Sequence, residues 1–326
     1  MLNRISAYMT EQPYHIPALF EQSLDALNIK PSGVYVDCTL GGGGHTRGIL
    51  RRLAEAGGGR LLSFDQDMDA IGRAQADETL SSDPSLTLVH GNFRYLRNFL
   101  RFYGTETVDG ILADLGVSFH HFDDPERGFS FRWEEGELDM RMNRNAPLSA
   151  AKLIEEASQE RLADIFYLYG ELRQARQIAA AIVKARQQAP ITTVSRLLDT
   201  VRPLINPRQE KKELAQLFQA LRIEVNDELG ALRSLLTQAC EALRPGGRLA
   251  IITYHSLEDR LVKNFLRTGN LEGKESKDFF GRNLSPFKPL SSKPIVPDAE
   301  EIERNPRSRS AKLRVGEKRE VEKERN

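Results

Sequence analysis

The chain has 326 residues, 40% hydrophobic and 28% charged, and its 46 basic and 46 acidic side chains cancel. That composition belongs to an ordinary globular protein, large enough for one domain with an insertion or for two, and its zero net charge excludes a general nucleic-acid coat but not a local basic patch. No apolar run nears the ~20 residues that span a bilayer, the start MLNRISAYMTEQ lacks the apolar core of a secretory signal, and the two cysteines, Cys38 and Cys240, form no CxxC pair, so a cytoplasmic protein without membrane contact, disulfide framework or structural metal is expected.

Residues 1–12 read as a loose lead-in. His15-Ile16-Pro17 then precedes Leu19, Phe20, Leu24 and Leu27 at helical spacing, with Pro17 suited to the first turn. An apolar strand over 34–38 runs into four glycines, 41–44, and then into a helix over about 46–55 that Gly57-Gly58-Gly59 stops. Such a turn lets a ligand lie against bare backbone, with the first N–H groups of the helix facing it. A second strand, 60–64, ends in Asp65. A third, 86–89, leads through His90-Gly91-Asn92-Phe93 into a helix near 95–103, and a fourth, 110–113, ends in Asp114-Leu115-Gly116. This alternation predicts a parallel sheet covered by helices on both faces.

The pattern then changes. From about 125 to 217 the signal is helical, with Ser158 and Thr193 as N-caps, Gly170 as a C-cap and Pro190 as a stop. This predicts a helical insertion over 125–217, dividing a first sheet segment, 1–124, from a second, 218–326. The second segment begins with a long helix ending in Leu243-Arg244-Pro245-Gly246-Gly247, then gives a fifth strand over 249–253 and a last one over 312–315. The run NPRSRSAKLR near the end is basic, and the final dozen residues mix both signs as a solvated tail does.

An acid about 20 residues past a glycine loop, as Asp65 is, is placed to accept ribose hydroxyls of an adenosine, in NAD or in S-adenosylmethionine alike. The dinucleotide fingerprint needs a third small residue where this loop has Thr46 or Arg47, and that weakens NAD. Asp65, Asp67 and Asp69 do not make a calcium loop, because Ala70 and Ala76 stand where glycine and glutamate belong; Asp67 and Asp69 are expected in the first turn of a helix. His120-His121-Phe122-Asp123-Asp124 has metal-ligand types without metal-ligand spacing and is expected as a loop over the pocket. Asp114 lies where such a sheet opens its cleft, or else caps a following helix. His255 and Ser256 follow the fifth strand on the same rim, with Ser256 also a candidate cap. Arg127-Gly128-Phe129-Ser130-Phe131-Arg132-Trp133 suits base stacking and phosphate contact, and equally an interdomain seam.

Taken together, these pieces look like a class I S-adenosylmethionine-dependent methyltransferase. DCTLGGGGHTRGIL, DLGVS, DDPERGFSFR, LDMRM, FQALRIEVNDEL, LRPGGRLAIITYHSLEDRLVK and NPRSRSAKLR, in that order, resemble the bacterial 16S rRNA cytosine-N4 methyltransferase family from His15 to about Arg314. The resemblance implies a Rossmann-like sheet with an all-helical substrate-recognition domain inserted after the fourth strand. It implies S-adenosylmethionine on Gly43, Gly44, His45 and Asp65, with Phe93 flanking the adenine and Asp114 near the amino-acid end. Where the family reads DLGVSS-x-Q, this chain has Phe119 and His121, so His121 stands where the family places a glutamine beside the cofactor. The implied reaction methylates the exocyclic amine of a cytidine in the decoding region of 16S rRNA, within a small ribosomal subunit or a late assembly intermediate. Asp114, or the Leu115 carbonyl, is expected to accept the amine's hydrogen bonds, a second job for Asp114 that competes with the first. Arg127, Phe129, His255 and Ser256 are expected at the substrate, and Arg307 and Arg309, with Lys312 and Arg314, at its phosphates. A non-catalytic RNA-binding factor on the same fold and an NAD-dependent oxidoreductase are the other readings.

Overall fold

The computed structural model describes residues 17–320 except 278, 280 and 282. The expected lead-in, His15 and the last six residues lie outside the described residues, as does the side chain of Phe119. By chain contacts the molecule divides into two compact units, Met1–Gly116 with Gly230–Asn326, and Val117–Leu229. The second unit is wider at both ends than the 125–217 read from composition. The short helix Phe119–Asp123 precedes it, and the helix Glu210–Asn226 runs on past residue 217.

The first unit is one seven-stranded sheet: β1 (Gly33–Asp37), β2 (Gly59–Asp65), β3 (Leu86–His90), β4 (Val108–Asp114), β5 (Leu243–Thr253), β6 (Phe287–Pro289) and β7 (Lys312–Lys318), in the order β3-β2-β1-β4-β5-β7-β6. The first five strands in that order are parallel, and β7 runs antiparallel to both β5 and β6. This is the Rossmann-like order expected of a class I methyltransferase. Central parallel strands are covered on both faces and therefore read as nearly continuous apolar runs. Ile111, Leu112 and Ala113 on β4 and Leu249 to Ile252 on β5 are wholly buried.

Helices α1 (Phe20–Leu27), α2 (Gly44–Glu55), α3 (Met68–Ala76), α4 (Glu78–Ser81) and α5 (Leu96–Phe102) fill the first half. Two local expectations change. Residues 18 and 19 are not helical, because Leu19 sits at φ +52° as the N-cap of α1 and donates its N–H to Glu301 Oε1 at 2.6 Å. Residues 243–247 belong to β5 and not to a helix end. The register jumps there, Val108 facing Leu243 but Gly110 facing Arg248, and Gly246 takes φ +74° to absorb the extra chain.

The second unit is helical: α6 (Phe119–Asp123), α7 (Ala150–Glu156), α8 (Gln159–Leu168), α9 (Ala175–Arg186), α10 (Val194–Val201) and α11 (Glu210–Asn226). Its own core gathers Phe166, Ile178, Ile182, Leu197, Leu217 and Leu221. Ser158 and Thr193 cap α8 and α10 through their hydroxyls, as their positions predicted. The chain returns to the first unit through α12 (Glu228–Ala242), and α13 (Ser256–Thr268) and α14 (Ala299–Arg304) complete that unit. Among the described residues no helix is long and apolar enough to cross a membrane.

Candidate cofactor and catalytic site

β1 and β4 are neighbours although two other strands, β2 and β3, separate them in sequence, and at that switch point the sheet opens beyond its carboxyl ends. The glycine loop lies there. Gly43 caps α2 at φ +77° and Gly41 stands at φ +51°, both in the region that favours glycine. Gly42 is the open position, since a Cβ there would meet nothing within 4 Å. Gly44 differs from its expected role. A Cβ on it would lie 2.4 Å from Pro17 Cγ, so its bareness seats Pro17 rather than a ligand. The N–H groups of Gly44, His45 and Thr46 open the helix and have no intrahelical acceptor.

Asp65, at the end of β2, holds the loop. Its Oδ2 accepts the Gly41 N–H at 2.9 Å and its Oδ1 the Asp67 N–H at 2.8 Å. Asp67 caps α3 and Asp69 lies in its first turn, as expected. Asp65 pairs with His90 in the sheet, and its carbonyl accepts the Gly91 N–H at 2.8 Å. That brings the following turn, Phe93–Tyr95, to the same rim, with Phe93 half-buried against the core.

Below the loop lies a buried polar cluster that the sequence reading missed in part. Asp37, fully buried at the end of β1, accepts the Thr46 hydroxyl on Oδ2 at 2.7 Å and the Thr39 N–H on Oδ1 at 3.0 Å. Thr46 Oγ1 is also 2.6 Å from Ser63 Oγ. Thr39 Oγ1 accepts the Asp114 N–H at 2.7 Å, which ties the ends of β1 and β4 together. Burial raises the Asp37 carboxyl to about 6, against the Thr46 and Thr39 hydrogen bonds that lower it. Burial likewise lifts Asp114 to about 7; the Tyr254 hydroxyl opposes this, and the charges of Asp37 and Glu258 add to it. Asp114 caps no helix, as α6 begins five residues later.

His45 is buried on α2, with Nδ1 3.7 Å from Asp114 Oδ2 and its ring stacked on Phe20 at 5.9 Å. Burial lowers it to about 4, so it is neutral near pH 7 and its contact with Asp114 is not an ion pair. Its Nε2 is buried without a hydrogen-bond partner. Orphaned buried groups are rare in folded proteins, and this one is available to a polar group of a bound molecule.

Asp37 was hidden inside a run read as apolar. An acid as the last residue of a central strand was the available signal. Tyr254 and Glu258 stood in a quoted motif without a role. In the structure the Tyr254 hydroxyl donates to Asp114 Oδ1 at 2.8 Å, and buried Glu258 accepts the Tyr254 N–H at 2.9 Å. His255 is the N-cap residue of α13, its Nε2 3.3 Å from Glu258 Oε1, and Ser256 is the first helical residue, so the cap expected of Ser256 belongs one residue earlier.

The remaining candidates divide. In the second unit, His121 lies on α6, a helix where a loop was expected, with Nδ1 3.3 Å from Ser118 Oγ and its ring 4.8 Å from that of Phe129. Arg127 and Phe129, expected at the substrate, are instead interior. The Arg127 guanidinium donates to the carbonyls of Arg141 and Met142, both at 3.0 Å, and Phe129 joins the helical core. Their spacing served packing, since a buried guanidinium needs acceptors and finds them in its own chain. In the first unit, Arg307 and Arg309 lie exposed on the turn Pro306–Ser310. Lys312 and Arg314 are not available in the same way. Arg314 forks onto Asp259 at 2.6 and 3.3 Å, and Lys312 lies 3.6 Å from the same carboxylate.

The model of the MraW methylase family matches residues 12–319. A protein of Bacteroides thetaiotaomicron called ribosomal RNA small subunit methyltransferase H is 59% identical over 308 residues, covering 94% of this chain and 98% of its own length. The protein of the same name from Porphyromonas gingivalis ATCC 33277 is 53% identical over 312 residues, again covering 94% of this chain and 98% of its own. Among solved structures, an rRNA methylase from Streptococcus thermophilus shares 12% identity at a TM-score of 0.39 and covers 96% of this chain and 99% of its own. The fold therefore rests on the strand order above.

Proposed function

The chain belongs to the MraW methylase family, and from that premise we propose that it methylates the exocyclic N4 amine of a cytidine in the decoding region of 16S rRNA. Its substrate is the small ribosomal subunit or a late assembly intermediate, and it acts in the cytoplasm. S-adenosylmethionine supplies the electrophilic methyl group. The chain's fit to that cofactor rests on Gly42, where nothing fills the space a Cβ would take, on Asp65, which ends β2 and holds the glycine loop through the Gly41 N–H, and on the unpartnered Nε2 of buried His45.

One observation carries the choice of reaction: an aspartate at the end of β4, beside the loop, that takes the Tyr254 hydroxyl on Oδ1 and turns Oδ2 toward His45, with burial raising its carboxyl toward neutrality. A cytosine amine is a poor nucleophile because its lone pair is delocalised into the ring. Accepting its N–H bonds returns electron density to nitrogen, and after transfer a proton must leave. Asp114 is proposed for both tasks. As a carboxylate it accepts the amine hydrogen, and with a pKa near neutrality it can hold the proton and release it to water. Neutral His45 leaves that charge uncompensated. A cytosine-C5 reaction would need a thiolate nucleophile. Cys38 is buried, which pushes its thiol up well above its ordinary value, and Cys240 lies on α12 away from the rim. The target base must leave its stack to reach such a site.

The test is methyl label transferred from S-adenosylmethionine to unmethylated small subunits, followed by mass mapping of the labelled nucleoside. N4-methylcytidine is the expected product. Label at C5, or on protein or DNA alone, would refute the proposal. Asp65→Ala should abolish activity together with cofactor affinity while sparing RNA affinity.

A further inference from the structure

We propose that Tyr254, itself fixed by Glu258, is a positioning residue for Asp114: its hydroxyl sets the rotation of the carboxylate and leaves Oδ2 for the substrate amine. This rests on Asp114 as the acceptor in the reaction above.

The placement comes from the sheet. Asp114 pairs with Ile252, and the Leu115 N–H donates to the Ile252 carbonyl at 3.0 Å, so the chain leaves β5 alongside Asp114 two residues before Tyr254. Gly116 carries no side chain there, and a Cβ on it would already touch the Tyr254 ring at 3.7 Å. The Tyr254 hydroxyl reaches Asp114 Oδ1 at 2.8 Å. Its backbone is held from the other side, where Glu258 Oε2 in the first turn of α13 accepts the Tyr254 N–H at 2.9 Å. With Oδ1 taking the Tyr254 hydroxyl and the Asp114 backbone fixed through its N–H to Thr39 Oγ1, Oδ2 is turned toward the His45 side.

Several titratable groups face Asp114. Asp37 comes from β1, His45 from α2, Tyr254 from the end of β5 and Glu258 from α13, with Glu301 of α14 acting on Tyr254. Asp37 and Glu258 disfavour a charge on Asp114, and His45 is neutral. The Tyr254 hydroxyl favours that charge. Burial, and then the Asp114 charge, hold the phenol well above its ordinary pKa, so it stays a donor across the working range. Tyr254 and Glu258 therefore pull Asp114 in opposite directions.

The experiment is the pH dependence of single-turnover methyl transfer to small subunits, with saturating S-adenosylmethionine, for wild type, Tyr254→Phe and Glu258→Gln. The cofactor Kd of each protein is measured by calorimetry as a check on folding. Wild type should lose rate as pH falls through about 7. Removing a hydrogen bond to a charged group moves such a limb by about one pH unit, so Tyr254→Phe should be roughly ninefold slower at about pH 6 and lose only about a tenth of the rate at about pH 9. Glu258→Gln, whose amide oxygen still accepts the Tyr254 N–H, should move the limb the other way. An unmoved limb in Tyr254→Phe with normal cofactor Kd overturns the proposal. So does a limb that moves up in Glu258→Gln, which decides the matter if Tyr254→Phe fails to bind cofactor. If wild type shows no acid limb, or Asp114→Asn keeps full rate, the acceptor role of Asp114 fails and takes this inference with it.

Discussion

Asp37→Asn should stabilise the protein at alkaline pH and leave it unchanged at acid pH. Lifting this fully buried carboxyl from 3.8 to about 6 makes the ionised form on the order of 3 kcal/mol less favourable in the fold than in the unfolded chain. The folded pKa is the higher one, so the fold binds more protons between the two values. The penalty is absent below about 4, grows as pH rises, and is complete above about 6. Asparagine keeps the shape. Its oxygen can accept the Thr39 N–H, and its amide can donate to Thr46 Oγ1 if the Thr46 hydroxyl turns to Ser63, 2.6 Å away. The substitution also removes a charge that raises Asp114. Urea unfolding of both proteins at about pH 3.5 and about pH 8, followed by circular dichroism, should show a gain of ~1–3 kcal/mol at the higher pH and close to none at the lower. A variant less stable than wild type at the higher pH, or a gain independent of pH, would refute the reasoning.

Gly42→Ala should leave unfolding unchanged within ~0.5 kcal/mol, since the methyl meets no protein atom, and should weaken S-adenosylmethionine binding in calorimetry. Gly44→Ala should instead destabilise by ~1–3 kcal/mol through its clash with Pro17, visible in a melting curve without cofactor. Arg127→Met should cost the second unit about 2–4 kcal/mol by orphaning the carbonyls of Arg141 and Met142. The fluorescence of Trp133, the single tryptophan and a member of that unit, reports it. Arg314→Ala should lower stability by about 3 kcal/mol by stranding Asp259, whereas Arg309→Ala should spare stability and reduce the salt dependence of RNA binding.

Much of this fold was legible because its signals are local. Strand, glycine turn and helix alternate with short spacing, and the acids that end β2 and β4 stand directly beside turns. The parallel direction of the sheet follows from the same alternation, since parallel neighbours need crossovers, whereas its strand order came from the structure. What escaped depended on partners far away in the chain. Arg127 and Phe129 look like RNA contacts until Arg141, Met142 and the helical core claim them. Arg314 looks like a phosphate contact until Asp259, 55 residues earlier, forks it. Gly44 looked like ligand space until Pro17 filled it. The role of Tyr254 depends on an aspartate 140 residues away. Composition names a residue's chemistry, but the tertiary neighbour decides whether that chemistry is still available.

The two aspartates at the switch point are both held at a cost to stability. Asp37 and Asp114 end adjacent strands, and both are raised toward neutrality by burial and by like charge. Neither meets a cation there, for the His45 ring is neutral. Stability alone would favour an amide or an apolar side chain at both positions. Asp259 is the contrast. Burial would raise it too, but the Arg314 fork and Lys312 bring it below its ordinary value, as expected of a charge retained for structure. An unpaired, half-neutral carboxylate suits a group that must gain and lose a proton at working pH. Thr39, Thr46 and Ser63 then act as the hydroxyl bridge that makes the burial tolerable, and Thr46 has this task in place of the small residue a dinucleotide loop would require. The residue that first spoke against NAD is thus the one that holds the acid beneath the loop.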